Sequence, residues 1–223
     1  MPHKGRRKFT LKIIHKYLMV LNIAIFPMAS NVTALNETHN EMKVVHPSSV
    51  KKPSFRLKIR QWANVINNEI EKERHILQFR EFYDKKLVSP LLKKYGLTKI
   101  NSPKLDDEIR KRVQPIPIEI VIAQSTIESN GGRSRFAHEA HNYFGMWTFN
   151  KSVPHIKLKQ RDNGIIPRIR KFKSGLDSLR SYSELLNSGR MYYQFRELRD
   201  KGVTPFVLAR GLLPYSEERL LYV

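Results

Sequence analysis

Cysteine is absent from the 223 residues of the chain. Without a thiol the protein forms no disulfide, binds no zinc or iron–sulfur cluster through sulfur, and has no cysteine nucleophile. The sequence also lacks a glycine-rich phosphate-binding motif and a Ser-His-Asp motif. His138 and His141 are three residues apart but have no evident third ligand, so we expect neither a metal ion nor another cofactor.

Acidic residues are scarce. The sequence has 20 Asp and Glu against 41 Lys and Arg, for a net charge of +21, and its pI is about 10.2. Such an excess favours an acidic partner: nucleic acid, an anionic membrane or an anionic wall polymer. The excess is +6 over residues 1–34, +8 over 35–112 and +7 over 113–223. Charge spread in this way favours a wall polymer, and we do not expect nucleic acid as a partner.

Only one long apolar run occurs, at residues 17–29. Residues 1–16 before it carry six Lys and Arg and no acid, and small residues follow at 32–34. This order is typical of a secretory signal peptide, and the run is shorter than the roughly 20 residues of a membrane span. We therefore predict an exported, periplasmic protein with a signal at 1–34. The alternative is an uncleaved anchor that holds the chain at the inner-membrane surface.

The remaining residues predict an α+β fold that is mostly α-helical. Polar residues 35–54 are expected to form a flexible linker, 55–112 a helical region that packs on the catalytic domain, and 113–223 that domain. Residues 155–172 are expected to form a β-hairpin with its turn at Asn163-Gly164. Helices are predicted from the Ser54 cap to about residue 86, and over 90–95, 102–113, 117–129, 175–186, 192–201 and 204–211.

The helix at 117–129 has no broad polar face, which indicates a buried helix. Its only acids are Glu119 in the first turn and Glu128 in the last. Burial and the negative end of the helix dipole both act to raise the pKa of a carboxyl group at Glu128. A carboxyl group that stays protonated can donate its proton to a glycosidic oxygen. A capping role for Glu128, or an ion pair with Arg133 or Arg135, is the alternative that these residues leave open.

Residues 123–137, AQSTIESNGGRSRFA, and 142–147, NYFGMW, resemble the bacterial Bax-type proteins. These belong to the peptidoglycan N-acetylglucosaminidases of glycoside hydrolase family 73. The C-terminal stretch at 208–217, with Tyr222-Val223 after it, is similar to the end of the same proteins, so that the resemblance covers about 55–223. It implies a lysozyme-like helical domain with a β-hairpin lobe across a cleft. The implied activity is that of an endo-β-N-acetylglucosaminidase that cleaves peptidoglycan glycan strands.

The same resemblance implies roles for individual residues. Glu128 matches the catalytic acid, and Tyr215 matches a tyrosine that faces the acid across the sugar. A buried aromatic residue with its hydroxyl on the backbone is the other interpretation of Tyr215. Substrate contacts are expected from Gln124, Ser129, Asn142, Phe144, Gly145, Trp147 and Tyr222.

One departure concerns the helix end, where Gly131-Gly132 stands in place of the Trp-Gly common in the family. A non-catalytic wall-binding or scaffold protein that retains the fold is therefore the alternative function. The second catalytic group is also open. Asp162 is the only acid between Glu139 and Asp177. It could hold the attacking water of an inverting enzyme or could simply form the hairpin turn, whereas assistance by the substrate's N-acetyl group requires no second acid.

Overall fold

The computed structural model describes residues 53–157 and 168–215. The predicted signal, nearly all of the linker, the Asn163-Gly164 turn, Asp162 and Tyr222 lie outside these ranges. None of the described helices is long and apolar enough to cross a membrane. The described elements, in chain order, are α1 (Phe55–Gln78), α2 (Lys85–Lys94), α3 (Ser102–Arg112), α4 (Ile118–Ser129), α5 (Arg135–Ala140), β1 (His155–Lys157), β2 (Arg168–Arg170), α6 (Gly175–Ser188), α7 (Tyr193–Asp200) and α8 (Pro205–Leu208).

The first helix is shorter than predicted. It starts as expected at Ser54, whose Oγ accepts a hydrogen bond from the Leu57 N–H at 3.3 Å. It ends at Gln78 and is followed by a 3₁₀ turn, so the prediction of one helix to about residue 86 was wrong. The reason is Asp84, whose Oδ1 accepts from the Lys86 N–H at 2.7 Å and thereby starts a separate helix, α2. This helix also begins before residue 90, where a shorter one was predicted.

The other predicted helices are present, with ends that differ by a few residues. Asn101 rather than Ser102 is the cap residue of α3, and Pro117 lies just before α4 rather than inside it. Helix α5 was not predicted. Its start is fixed by Ser134, whose Oγ accepts from the Ala137 N–H at 3.2 Å. After α8 the chain continues as a 3₁₀ helix over Ala209–Tyr215, beyond the predicted end at 211.

The core forms around α4, and this confirms the expectation of a buried helix. Ile120, Val121 and Ile122 are each at most 4% exposed, and removing such side chains from water stabilises the fold by roughly 1.5–3 kcal/mol apiece. Helix α1 packs against both α4 and α6. Asn67 of α1 ties the segment before α4 by donating to the Ile116 carbonyl at 2.9 Å and accepting from its N–H at 3.0 Å.

The two strands pair antiparallel, with His155 opposite Arg170, Ile156 opposite Ile169 and Lys157 opposite Arg168. This confirms the α+β class and the hairpin strands. A two-residue turn at Asn163-Gly164 with an unbroken ladder would instead place Lys157 opposite Arg170, so the observed register differs from that expectation by two positions. On its other edge β2 pairs with the segment around Trp147, through a bridge between Trp147 and Ile169.

Candidate active site

Glu128 lies in the last turn of α4 and is half-buried. The helix ends immediately after it, because three successive residues adopt left-handed backbone conformations: Asn130, Gly131 and Gly132, with φ of 51°, 62° and 81°. Position 131 therefore suits glycine, and a tryptophan there would be strained. The Gly131 N–H donates to the Thr126 carbonyl at 2.9 Å and closes the helix end. The chain thus leaves the helix through a fixed turn next to the carboxylate.

Two buried polar residues of α4 flank Glu128. The Gln124 amide lies one turn earlier, and its Nε2 is 3.5 Å from Glu128 Oε1, a long hydrogen bond. Ser129 donates from Oγ to the Ser125 carbonyl at 2.5 Å and accepts from the Gly132 N–H at 2.8 Å. The Ser129 hydroxyl therefore holds the helix end together. Gln124 is the polar group placed to orient the carboxylate, and the predicted sugar contacts of both residues remain predictions.

The segment 142–147 approaches the end of α4 as a tightly bonded loop. Asn142, 1% exposed, donates from Nδ2 to the carbonyls of Met146 at 2.7 Å and Arg170 at 2.8 Å. Its Oδ1 accepts from the Met146 N–H at 2.9 Å. Phe144 is fully buried and stacks on Tyr182 with ring centroids 4.4 Å apart. Asn142 and Phe144 therefore stabilise the shape of the loop, and their predicted contacts with sugar remain predictions.

Gly145 brings this loop directly against the predicted acid. Its φ is +59°, and a Cβ at this position would lie 2.6 Å from Glu128 Oε2 and 3.5 Å from Cδ. Only glycine allows both this conformation and this approach. The structure thus places Glu128, Gln124 and Gly145 together, with Asn142 and Phe144 behind them. A half-buried carboxyl group held between a helix end and a rigid loop is suited to delivering one proton in a fixed direction.

Tyr215 reaches the same loop from the C-terminal side. It is 1% exposed, and its hydroxyl donates to the Phe144 carbonyl at 2.5 Å. Its ring packs edge-on against Tyr182, with centroids 5.3 Å apart. This arrangement matches the interpretation of Tyr215 as a buried aromatic residue with its hydroxyl on the backbone. A catalytic role for Tyr215 stays a prediction, and Trp147 is half-buried in the bridge to β2.

Helix α1 also contributes to this loop, a contact that was not predicted from the sequence. Tyr143 lies between two aromatic residues of α1, with ring centroids 6.2 Å from Phe55 and 5.3 Å from Trp62. Burial raises the pKa of the Tyr143 hydroxyl. The Trp62 ring packs so closely on Gly175 that a Cβ there would lie 2.1 Å from Cη2. The helical periodicity of α1 marks an apolar face but not its partner, so no sequence signal pointed to this contact.

Within the described ranges, no group of three or more His, Asp or Glu residues could hold a metal ion. Residues 107–211 match the Glucosaminidase family, described as mannosyl-glycoprotein endo-beta-N-acetylglucosaminidase. The matched stretch includes Glu128 and the whole loop from Asn142 to Trp147, whereas Tyr215 lies beyond it. No curated protein and no solved structure matches the chain.

Proposed function

We propose that this chain acts on the glycan strands of peptidoglycan with Glu128 as its general acid. The reaction class follows from residues 107–211, which match the Glucosaminidase family of endo-β-N-acetylglucosaminidases, a family of glycoside hydrolases. The observation that carries the assignment of the acid is the contact between Glu128 and Gly145. It places the one acid in the last turn of the buried helix against the loop in which the motif residues converge. Peptidoglycan as the substrate is supported by the net charge of +21 and by the signal-like N-terminus.

In this mechanism the Glu128 carboxyl group protonates the glycosidic oxygen as the bond to the anomeric carbon breaks. Gln124, whose Nε2 is 3.5 Å from Glu128 Oε1, keeps the carboxyl group directed toward the loop. The N-acetyl carbonyl of the substrate stabilises the anomeric carbon from the opposite face, so that a second carboxylate is not required. Asp162 is the competing second group, and replacing it with asparagine separates the two mechanisms. Loss of hydrolysis in Asp162→Asn would favour a water activated by that residue.

The test of the acid is Glu128→Gln, since an amide keeps the shape of the side chain but cannot donate the required proton. We expect hydrolysis of purified peptidoglycan to fall by about 10²–10⁴-fold, with unfolding unchanged within about 0.5 kcal/mol. Glu119→Gln is the matched control, because Glu119 is also a half-buried acid of α4 but lies in its first turn. Fragments released by the wild type should carry N-acetylglucosamine at the reducing end. Wild-type activity in Glu128→Gln would exclude Glu128 as the acid.

Export is the second part of the proposal and rests on residues 1–34. We expect the native protein to have its N-terminus near Leu35, or to remain intact in the membrane fraction if the N-terminal segment serves as an anchor. Mass spectrometry of fractionated cells measures both outcomes. Full-length protein in the soluble cytoplasmic fraction would contradict them.

A further inference from the structure

Within residues 113–223, the predicted catalytic domain, the positive charge is concentrated in residues 140–176, which we call the β-lobe. This segment holds eight Lys and Arg against a single acid, Asp162. Elsewhere in residues 113–223 nine Lys and Arg are balanced by nine Asp and Glu. The net charge of +7 of that region therefore comes entirely from the β-lobe, although the coarser division of the sequence suggested an even spread.

The two strands place three of these cations, together with His155, on one face. Side chains directly opposite each other in an antiparallel pair share a face, so Lys157 lies beside Arg168 and His155 beside Arg170. The intervening Ile169 is 3% exposed and points to the core side. Like charges directly opposite across strands destabilise a hairpin. A face built in this way costs stability unless an anion bound from outside offsets the repulsion.

Nothing in the described ranges neutralises this face. The ion pairs of the described residues involve cations outside β1 and β2, such as Arg80, Arg110 and Arg180. The Nε atoms of Arg168 and Arg170 are buried without a hydrogen-bond partner in the described part of the chain. The His155 Nδ1 is occupied by the Val153 carbonyl at 2.7 Å. Among the described residues, therefore, the cations of this face have no carboxylate partner, although the Arg170 guanidinium lies over the Phe172 ring.

The same face is continuous with the candidate active site. The Arg170 N–H donates to the Met146 carbonyl and the Thr148 N–H donates to the Arg168 carbonyl, both at 3.0 Å. Met146 directly follows Gly145, which contacts Glu128. A glycan strand whose scissile bond lies at Glu128 can therefore extend from the 142–147 loop onto the adjoining strands.

We propose that the basic face of β1 and β2 binds the free carboxylates of the peptide side chains carried by the glycan. This inference rests on the proposed function and makes the enzyme selective for peptide-bearing, negatively charged strands over uncharged ones. The fit is electrostatic, because the face offers Lys and Arg cations and the peptide side chains offer carboxylates at intervals along a polymer. Adjacency to the catalytic loop favours an anion attached to the substrate itself over a separate phosphate polymer.

The test compares binding to insoluble peptidoglycan before and after its carboxylates are converted to neutral amides. Binding is measured by co-sedimentation with full-length protein carrying Glu128→Gln, so the readout does not require hydrolysis. We expect the unmodified material to be bound about fivefold more tightly than the amidated material at low salt. The double substitution Lys157→Gln/Arg168→Gln should bring this ratio close to one. Lys85→Gln/Lys86→Gln, two exposed lysines at the start of α2, should keep it.

Each result decides the question. A ratio of one in the parent protein, or an equal ratio in the two double variants, would overturn the inference. If binding is instead lost when phosphodiester polymers are extracted and is unaffected by amidation, the face recognises that polymer and not the substrate. If the ratio behaves as expected while the protein with Glu128 intact fails to cleave peptidoglycan, the proposed function fails and carboxylate recognition stands.

Discussion

Replacing Gly145 with alanine tests whether the packing of the 142–147 loop on Glu128 is needed for hydrolysis. The new Cβ would lie 2.6 Å from Glu128 Oε2, whereas ordinary contact begins at 3.4 Å, so one of the two groups must move by about 0.8 Å. Oε2 is the far end of a flexible side chain, and the carboxyl group is therefore the group that moves. A displacement of about 1 Å at a reacting group costs roughly a hundredfold in rate, or about 2.7 kcal/mol of transition-state stabilisation.

The control for this substitution is Gly202→Ala. Gly202 has φ of +64°, close to the +59° of Gly145, but a Cβ there would meet nothing within 4 Å. Both variants therefore carry the same left-handed strain, about 1–2 kcal/mol, and only one of them disturbs the acid. Urea unfolding measures the shared cost, and the initial rate of peptidoglycan hydrolysis measures the specific one.

We expect Gly145→Ala and Gly202→Ala to lose similar stability, and Gly145→Ala alone to lose about hundredfold in kcat/KM. Activity in Gly145→Ala within threefold of that in Gly202→Ala would refute the reasoning, because the carboxyl group would then tolerate displacement. A stability loss in Gly145→Ala that exceeds the control by several kcal/mol would also refute it. Such a loss would mean that the loop, and not the carboxyl group, absorbs the clash.

Three other predictions follow from hydrogen bonds. Asn142→Asp keeps the side-chain acceptor but removes the donor to the carbonyls of Arg170 and Met146. The Met146 carbonyl keeps the Arg170 N–H as a donor, so the free energy of unfolding should fall by about 1–3 kcal/mol in urea titration; a loss below about 0.5 kcal/mol would contradict this. Tyr215→Phe removes the hydroxyl that donates to the Phe144 carbonyl. If Tyr215 is structural it should cost about 1–3 kcal/mol of stability and leave kcat within threefold, whereas a hundredfold fall in kcat at unchanged stability would establish the predicted catalytic role. The hydrogen bond from Arg180 lowers the pKa of Glu69 below 4.5, so the stabilisation of the fold by this ion pair is complete above that pH and is lost as the pH falls through the folded-state pKa. Because Glu69 is partly exposed, this contribution should be under about 1 kcal/mol. Glu69→Gln should remove this pH-dependent contribution from the pH profile of stability.

The sequence predicted best those features that depend on local chemistry. The buried character of α4 followed from its lack of a polar face. The cap at Ser54 followed from a residue type that accepts backbone hydrogen bonds, and its hydroxyl does so. The break between α1 and α2 was missed because the apolar spacing continues across it. Asp84 carried the signal for a new helix start, but an aspartate among charged residues also fits a solvent-exposed helix face.

Roles of polar side chains in the site could not be predicted in the same way. Asn142 and Ser129 belong to the matched motif, and an amide or hydroxyl in that position serves a sugar and a backbone carbonyl equally well. Only the fold decides, and it gives both side chains backbone partners. The contact between Gly145 and Glu128 could not be predicted either. It depends on the turn after α4, in which Asn130 adopts a left-handed conformation although it is not a glycine.

The loop that faces Glu128 is held by three elements that are distant from it in sequence. Asn142 is tied to β2 across 28 residues, the Tyr143 N–H to Ser178 of α6 across 35, and the Phe144 carbonyl to Tyr215 across 71. Local bonds between Asn142 and Met146 shape the loop, whereas its position in the fold depends on the long-range ties to β2, α6 and the C-terminal segment. The loop that packs on Glu128 is therefore positioned by residues from three distant parts of the described chain.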